Sequence, residues 1–347
     1  MSTRRNKKIV LLVLIFAITV LIIVGTTSAL AASDTIVWRF PSLEPGPGYW
    51  APDSIVNFSK AVESRTNGRM KVNVYWGGEL GINPPDFPVA LQTGAIQAAH
   101  GSTAYYAKSI EGCAISAMPM VGIGSYDETL QLHKGLKEFI NKDLEEKYRV
   151  KILWMVPWEF VQPLTNKKIE NYTDLNGMKL RVSGVLTGEL IKLSNGVPVS
   201  MPLSEVYTSL SKKVIDGAVC SIPILKNASL YEVIDYVYNF YYHSAASIYL
   251  VSLDALNSLP EDIRQIVLEE ANRVESESIE AASIGMREGL ELAKSKNLEI
   301  FNPTEKDIDK VRIVVKPIWD EWYQQASPEG QKQFIDALSR TGVTYTP

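Results

Sequence analysis

Asp174-Leu175-Asn176-Gly177-Met178-Lys179-Leu180-Arg181-Val182 ends in a compact strand pattern, Lys179 to Val182. Leu186 to Leu193 follows as a helix that Asn195-Gly196 ends. Pro202 to Lys213 predicts a second helix, with Ser204 at its start, and Ala218 to Ser221 a second strand. Strands that alternate with helices at this spacing predict an α/β protein with largely parallel sheets.

The same rhythm extends outward. Upstream, Ile36 to Phe40 predicts a strand, and Pro41 to Pro52 a Pro-Gly loop that carries Tyr49-Trp50. Asp53 is placed to cap a helix whose apolar positions include Ile55, Phe58 and Val62. Met70 to Tyr75 alternates as a strand, Pro84 to Gln92 predicts a helix and Ala95 to Ala99 a short strand. An amphipathic helix over Tyr126 to Tyr148 precedes a strand over Lys151 to Met155, and Ile248 to Leu253 predicts another strand. Glu261 to Lys296 is free of Gly and Pro except Gly285 and Gly289, and predicts one or two long helices. Thr304 to Gln325 and Gly330 to Leu338 are further helices.

The N-terminus follows a different logic. Arg4, Arg5, Lys7 and Lys8 precede an apolar run, Ile9 to Val24, and a small-residue site at Ala29-Leu30-Ala31. That order is a signal peptide, residues 1–31, with cleavage near Ala31 and export to the periplasm as the expectation. An uncleaved anchor is the alternative. Loss of those four cations moves the formal net charge from −4 to −8, which disfavours nucleic acid as a partner. Cys113 and Cys220 could bridge in an exported protein, but two small buried thiols is the plainer reading.

The three histidines, His100, His133 and His243, lack metal-ligand spacing, and no metal or cofactor is expected. No nucleotide loop or nucleophile elbow is present, so no enzymatic activity is expected. His133 lies on a charged helix and is expected in solvent, whereas His100 could touch a ligand.

Three ordered blocks carry a resemblance: residues 174–182 above, Met201-Pro202-Leu203-Ser204-Glu205-Val206-Tyr207, and Val214-Ile215-Asp216-Gly217. Glu79-Leu80-Gly81, Leu91-Gln92-Thr93-Gly94 and Leu259-Pro260-Glu261-Asp262 agree with them. The chain resembles the substrate-binding proteins of tripartite ATP-independent periplasmic (TRAP) transporters over nearly all of residues 34–340. The resemblance implies a two-domain periplasmic binding protein-like fold with crossing hinge strands and a long helix spanning both domains. It implies domain I over 32–155 and 241–283, and domain II over 156–240 and 284–347. It also implies a small organic acid as ligand, TRAP membrane permease subunits as partners, and hinge closure without catalysis.

Arg181 alternates with Leu180 and Val182 and so faces away from them. The resemblance makes it the clamp on the ligand's carboxylate, a role that its planar fork suits. Elsewhere the pattern departs from sugar-acid members. Val161 stands where they carry a second arginine, Cys220 at their asparagine, Ser102 at an acidic contact and Pro41 at another asparagine. Tyr49, Trp50 and Trp158 lie in loops suited to a ligand, Gln162 can bond a second ligand group, and the resemblance turns Leu203 and Tyr207 toward the cleft. A hydrophobic or aromatic monocarboxylate is the expected ligand, with a C4-dicarboxylate or 2-oxo acid as the alternative. An exported hydrolase and a membrane-tethered sensor domain are the readings from other classes.

Overall fold

The computed structural model describes residues 35–122, 126–171, 173–243, 245–340 and 342–346. The signal segment read at residues 1–31 and its cleavage site lie outside the described residues. In chain order the strands are β1 (Ile36–Pro41), β2 (Met70–Tyr75), β3 (Ala98–Ser102), β4 (Val150–Pro157), β5 (Val161–Thr165), β6 (Lys179–Val182), β7 (Val197–Ser200), β8 (Gly217–Ser221), β9 (Tyr236–Tyr238), β10 (Ala246–Ser252) and β11 (Glu299–Phe301). The helices are α1 (Trp50–Arg65), α2 (Phe87–Gln92), α3 (Thr103–Tyr106), α4 (Glu111–Ala117), α5 (Tyr126–Tyr148), α6 (Val185–Leu193), α7 (Val206–Ser211), α8 (Ile224–Asn227), α9 (Leu253–Asn257), α10 (Glu261–Ser295), α11 (Glu305–Gln325) and α12 (Pro328–Ser339).

These strands build two layers. In the first, β3-β10-β4 is one ladder and β1-β2 another. The amide of Leu43 donates to the His100 carbonyl and that of Gln97 to Arg39, so β1 lies along β3. The second layer has the order β11-β9-β5-β8-β6-β7. The expectation of largely parallel sheets needs correcting, because each layer contains one reversed strand. β10 is antiparallel to both β3 and β4, and β5 is antiparallel to both β8 and β9. The physical cause is the crossing: β5 follows β4 directly from the other layer, and β10 follows β9 the same way, so each arrives running backward.

The long C-terminal helix is one element of 35 residues, α10. Its first half packs on α1 and β4, and its second on α8 and β11, so it ties the layers together. Gly289 allows the approach. A Cβ there would lie 3.0 Å from the Ile222 carbonyl carbon and oxygen. Beyond it α11 packs on α6 and α12 on α4. Trp319, Trp322 and Tyr345 surround Phe334 there.

The quoted motif residues do structural work. Asn176 and Gly177 have positive φ, and the Asn176 amide donates to the Asp174 carboxylate, which closes the turn into β6. Asp216 accepts from the Lys179 amide at 2.9 Å and pairs with Lys167 at 2.6 Å. Gly217 is required because a Cβ there would meet the Leu164 carbonyl at 2.7 Å.

Several boundaries move. The third strand runs over 98–102 instead of 95–99, because the Ile96 amide returns to the Ala90 carbonyl in the turn at Gly94. The segment 202–213 is a short 3₁₀ turn, Leu203–Glu205, followed by α7, and Ser204 does not cap it. Asp53 does not cap α1 either. Tyr49 holds that position, and Asp53 sits in the first turn, accepting from the Gly48 amide at 2.9 Å. His133 is buried rather than solvated, bonded to Ser116 and to the Thr129 carbonyl. Both cysteines are free and buried.

Candidate functional site

Arg181 lies on β6 opposite Ala218 of β8. Its neighbours Leu180 and Val182 enter the core on the other face with Val219. Cys220, two residues along β8, stands opposite Gln162 of β5. Opposed residues on neighbouring strands share a face, so Arg181, Cys220 and Gln162 form a row across β6, β8 and β5.

The row is polar and under-satisfied. Arg181 is only 8% exposed. Its one side-chain hydrogen bond among the described residues runs from Nε to the Met201 carbonyl at 3.1 Å, and no carboxylate pairs with it there. Burial lowers its pKa, opposed by the fields of Cys220 and Tyr105. Burial also pushes the Cys220 thiol up to about 12, against the pull of Arg181, so it is neutral. Gln162 is buried, and its side-chain nitrogen has no partner. A buried guanidinium without a counter-ion is costly unless an anion completes it.

A cleft of about 400 Å³ lies between the start of α1, the α8 turn and α10. Its walls include Tyr49, Trp50, Trp158, Glu159 and Ser221. The ring of Trp158 is 5.1 Å from that of Trp50 and 6.2 Å from that of Tyr49. Arg181, Gln162 and Cys220 do not line this cleft. Arg181, the buried cation with no carboxylate beside it among the described residues, lies outside this cavity. Acids dominate the cavity wall, including Asp53, Glu159, Glu277 and Glu288.

The remaining sequence candidates divide. Val161 is half-buried at the crossing, bridged to His243 and opposite Ser221. The Ser102 hydroxyl caps α3 by accepting from the Ala104 amide. Leu203 is 37% exposed at the turn before α7. The Tyr207 hydroxyl donates to Glu232 at 2.7 Å. Leu203, Tyr207, Val161 and Ser102 do not line the cleft. Pro41 is buried at the end of β1.

Sequence reasoning missed two buried acids. Glu159 follows Trp158 in the crossing segment and accepts from the Trp50 indole nitrogen at 2.7 Å. Burial pushes it up to about 7, resisted by the bonds from Trp50, from the backbone and from Ser221. Glu44 sits in the Pro-Gly loop after β1, and burial raises it against the bond from the Tyr49 hydroxyl. The signal available for both was an acid flanked by aromatic or Pro-Gly residues.

Each histidine touches a hydroxyl, the geometry that a hydrolase reading asks for. His100 contacts Ser42 and Ser247, His133 contacts Ser116, and His243 contacts Thr187. All three are core residues and none lines the cleft. Burial holds His100 at about 3 and His243 at about 4. His100 thus packs on Tyr249 in the core, instead of reaching a ligand.

Comparison with known proteins gives a consistent match. A family model described as bacterial extracellular solute-binding protein, family 7 (DctP), matches residues 48–326. A solute-binding protein of Chromohalobacter salexigens is 26% identical over 330 residues, spanning 94% of this chain and 95% of that one. A Bordetella pertussis extracytoplasmic solute receptor binding pyroglutamic acid superposes with TM-score 0.78 at 22% identity, over 87% of this chain and 98% of that one. A TRAP periplasmic solute-binding protein from Chromohalobacter salexigens with bound D-glucuronate gives 0.77 at 23% identity, over 87% and 99%. No helix of the described residues is long and apolar enough to cross a membrane.

Proposed function

This chain belongs to family 7 of the bacterial extracellular solute-binding proteins (DctP), and we propose that it captures a small organic acid at Arg181 and delivers it to a TRAP membrane permease. The observation that carries the reading is the buried guanidinium of Arg181, which has no carboxylate beside it among the described residues. A ligand carboxylate supplies the missing charge and accepts the free N–H groups. The ligands named for the two superposed structures, pyroglutamic acid and D-glucuronate, each carry one carboxylate.

The body of the ligand is a hydrophobic or aromatic monocarboxylate. Cys220 is neutral beside Arg181, Val161 offers no charge, and Tyr49, Trp50 and Trp158 cluster as aromatic surface in the cleft. Domain I comprises residues 32–155 and 241–283, and domain II residues 156–240 and 284–347. Closure then bends the crossings at 158–160 and 239–243 and flexes α10. The mature chain begins after Ala31 and works in the periplasm, without turnover.

A thermal-shift screen of residues 32–347 against carboxylates tests this. Ligand at 100 times Kd adds about 2.7 kcal/mol of stability. Stabilisation by apolar or aromatic monocarboxylates, absent in Arg181→Ala, is the expected result. Stabilisation by polyhydroxy acids alone would keep the role and discard the apolar body, and silence toward every carboxylate would remove the clamp.

A further inference from the structure

The cleft between the start of α1, α8 and α10 has a chemistry opposite to that of Arg181. Four acids line it, Asp53, Glu159, Glu277 and Glu288, against one lysine, Lys226. Two of the acids are already compensated: Glu288 pairs with Lys226 at 3.4 Å, and Glu277 with Arg273 at 2.7 Å. Asp53 and Glu159 meet neutral donors, the Gly48 amide and the Trp50 indole, and neither has a cationic partner among the described residues. Glu159 is also only 2% exposed.

Three half-buried rings complete this wall. The centroids of Tyr49, Trp50 and Trp158 lie 5.1 to 6.4 Å apart. An aromatic face carries negative charge density and attracts a cation. Among the described residues no three acids, histidines or cysteines stand close enough together to hold a metal ion. Rings beside isolated carboxylates, in a cleft of about 400 Å³, suit an organic cation instead.

The α10 wall keeps the space open. Gly285 lies inside that helix, where alanine is the more favourable residue. A Cβ there would meet Pro223 at 3.4 Å and Glu159 Oε1 at 3.7 Å, which are ordinary contacts. Packing therefore does not demand glycine at 285, unlike at Gly289. What the missing side chain leaves is room beside the Glu159 carboxylate.

We infer that this cleft is a binding site for a small organic cation, an alkylammonium or a quaternary ammonium, held by Glu159 and by the faces of Tyr49, Trp50 and Trp158. The site goes beyond the acid capture proposed at Arg181 and does not depend on it, since Arg181 does not line the cleft.

Calorimetric titration of residues 32–347 with two shape-matched pairs tests the inference. The pairs are choline with 3,3-dimethylbutan-1-ol, and butylammonium with butan-1-ol. The titration is run at pH 8, above the value of about 7 to which burial pushes Glu159, so that its carboxylate is ionised. At least one cation should bind, and about tenfold more tightly than its neutral partner. Glu159→Gln should bring that ratio toward one, and Gly285→Leu, which fills the space, should remove binding. Arg181→Ala should change neither, so loss of the clamp and loss of this site are read separately. No binding by either cation, equal binding of the neutral partner, or a ratio that survives Glu159→Gln overturns the inference, as does loss of cation binding in Arg181→Ala. Should Gly285→Leu not fold, the native ratio and Glu159→Gln decide.

Discussion

Glu159→Gln should make the folded protein's stability less sensitive to pH. Glu159 is 2% exposed, has no cationic partner among the described residues, and titrates at about 7 instead of its ordinary 4.5. Because the folded pKa is the higher one, the folded state holds the proton more tightly than the unfolded chain does. Its contribution is therefore fully present below pH 4.5 and is lost as pH rises through about 7. The difference between the two values corresponds to about 3 kcal/mol, an upper figure. Glutamine keeps an oxygen for the Trp50 indole but cannot ionise. Thermal melts of both proteins between pH 4.5 and 8 report the difference, which should grow by about 5 °C in favour of the variant. Glu44, His100 and His243 titrate in both proteins and cancel. A difference that stays flat with pH would refute the reasoning.

Arg181→Met should raise the stability of the ligand-free protein by about 1–2 kcal/mol, since it removes an uncompensated buried cation and only one hydrogen bond, as denaturant melts without ligand would read. Gly217→Ala drives a Cβ into the Leu164 carbonyl on the central strand, so it should cost about 2–4 kcal/mol in the same assay. Trp50→Phe removes the indole donor that lowers Glu159, so the midpoint of the pH-dependent melt should move above about 7.

The elements that the sequence disclosed are those with long or clean periodicity. The alternation of Met70 to Tyr75 and the Gly- and Pro-poor run that forms α10 both fold as expected. The strands that escaped detection are only three residues long, too short for alternation to register, as with Tyr236–Tyr238 and the edge strand Glu299–Phe301, or interrupted by proline. β5 contains Pro163, which ordinarily argues against a strand. Its neighbour in phase, Val161, donates its amide to His243 on the side away from β8, so the donor that Pro163 lacks would have pointed away from β8 as well. For the site, alternation alone turned Arg181 away from Leu180 and Val182. Glu44 and Glu159 were invisible because acids are ordinarily exposed, and only the packing of Tyr49 and Trp50 over them reveals their burial.

The most direct test of the central claim compares a carboxylic acid that binds residues 32–347 with its own primary amide, by calorimetric titration. The two share shape and apolar surface and differ in the charge that Arg181 would hold. The account predicts that the acid binds, that the amide binds at least about a hundredfold more weakly, and that Arg181→Ala abolishes the difference. Equal affinity for acid and amide, or a preference for the acid that survives Arg181→Ala, would contradict it.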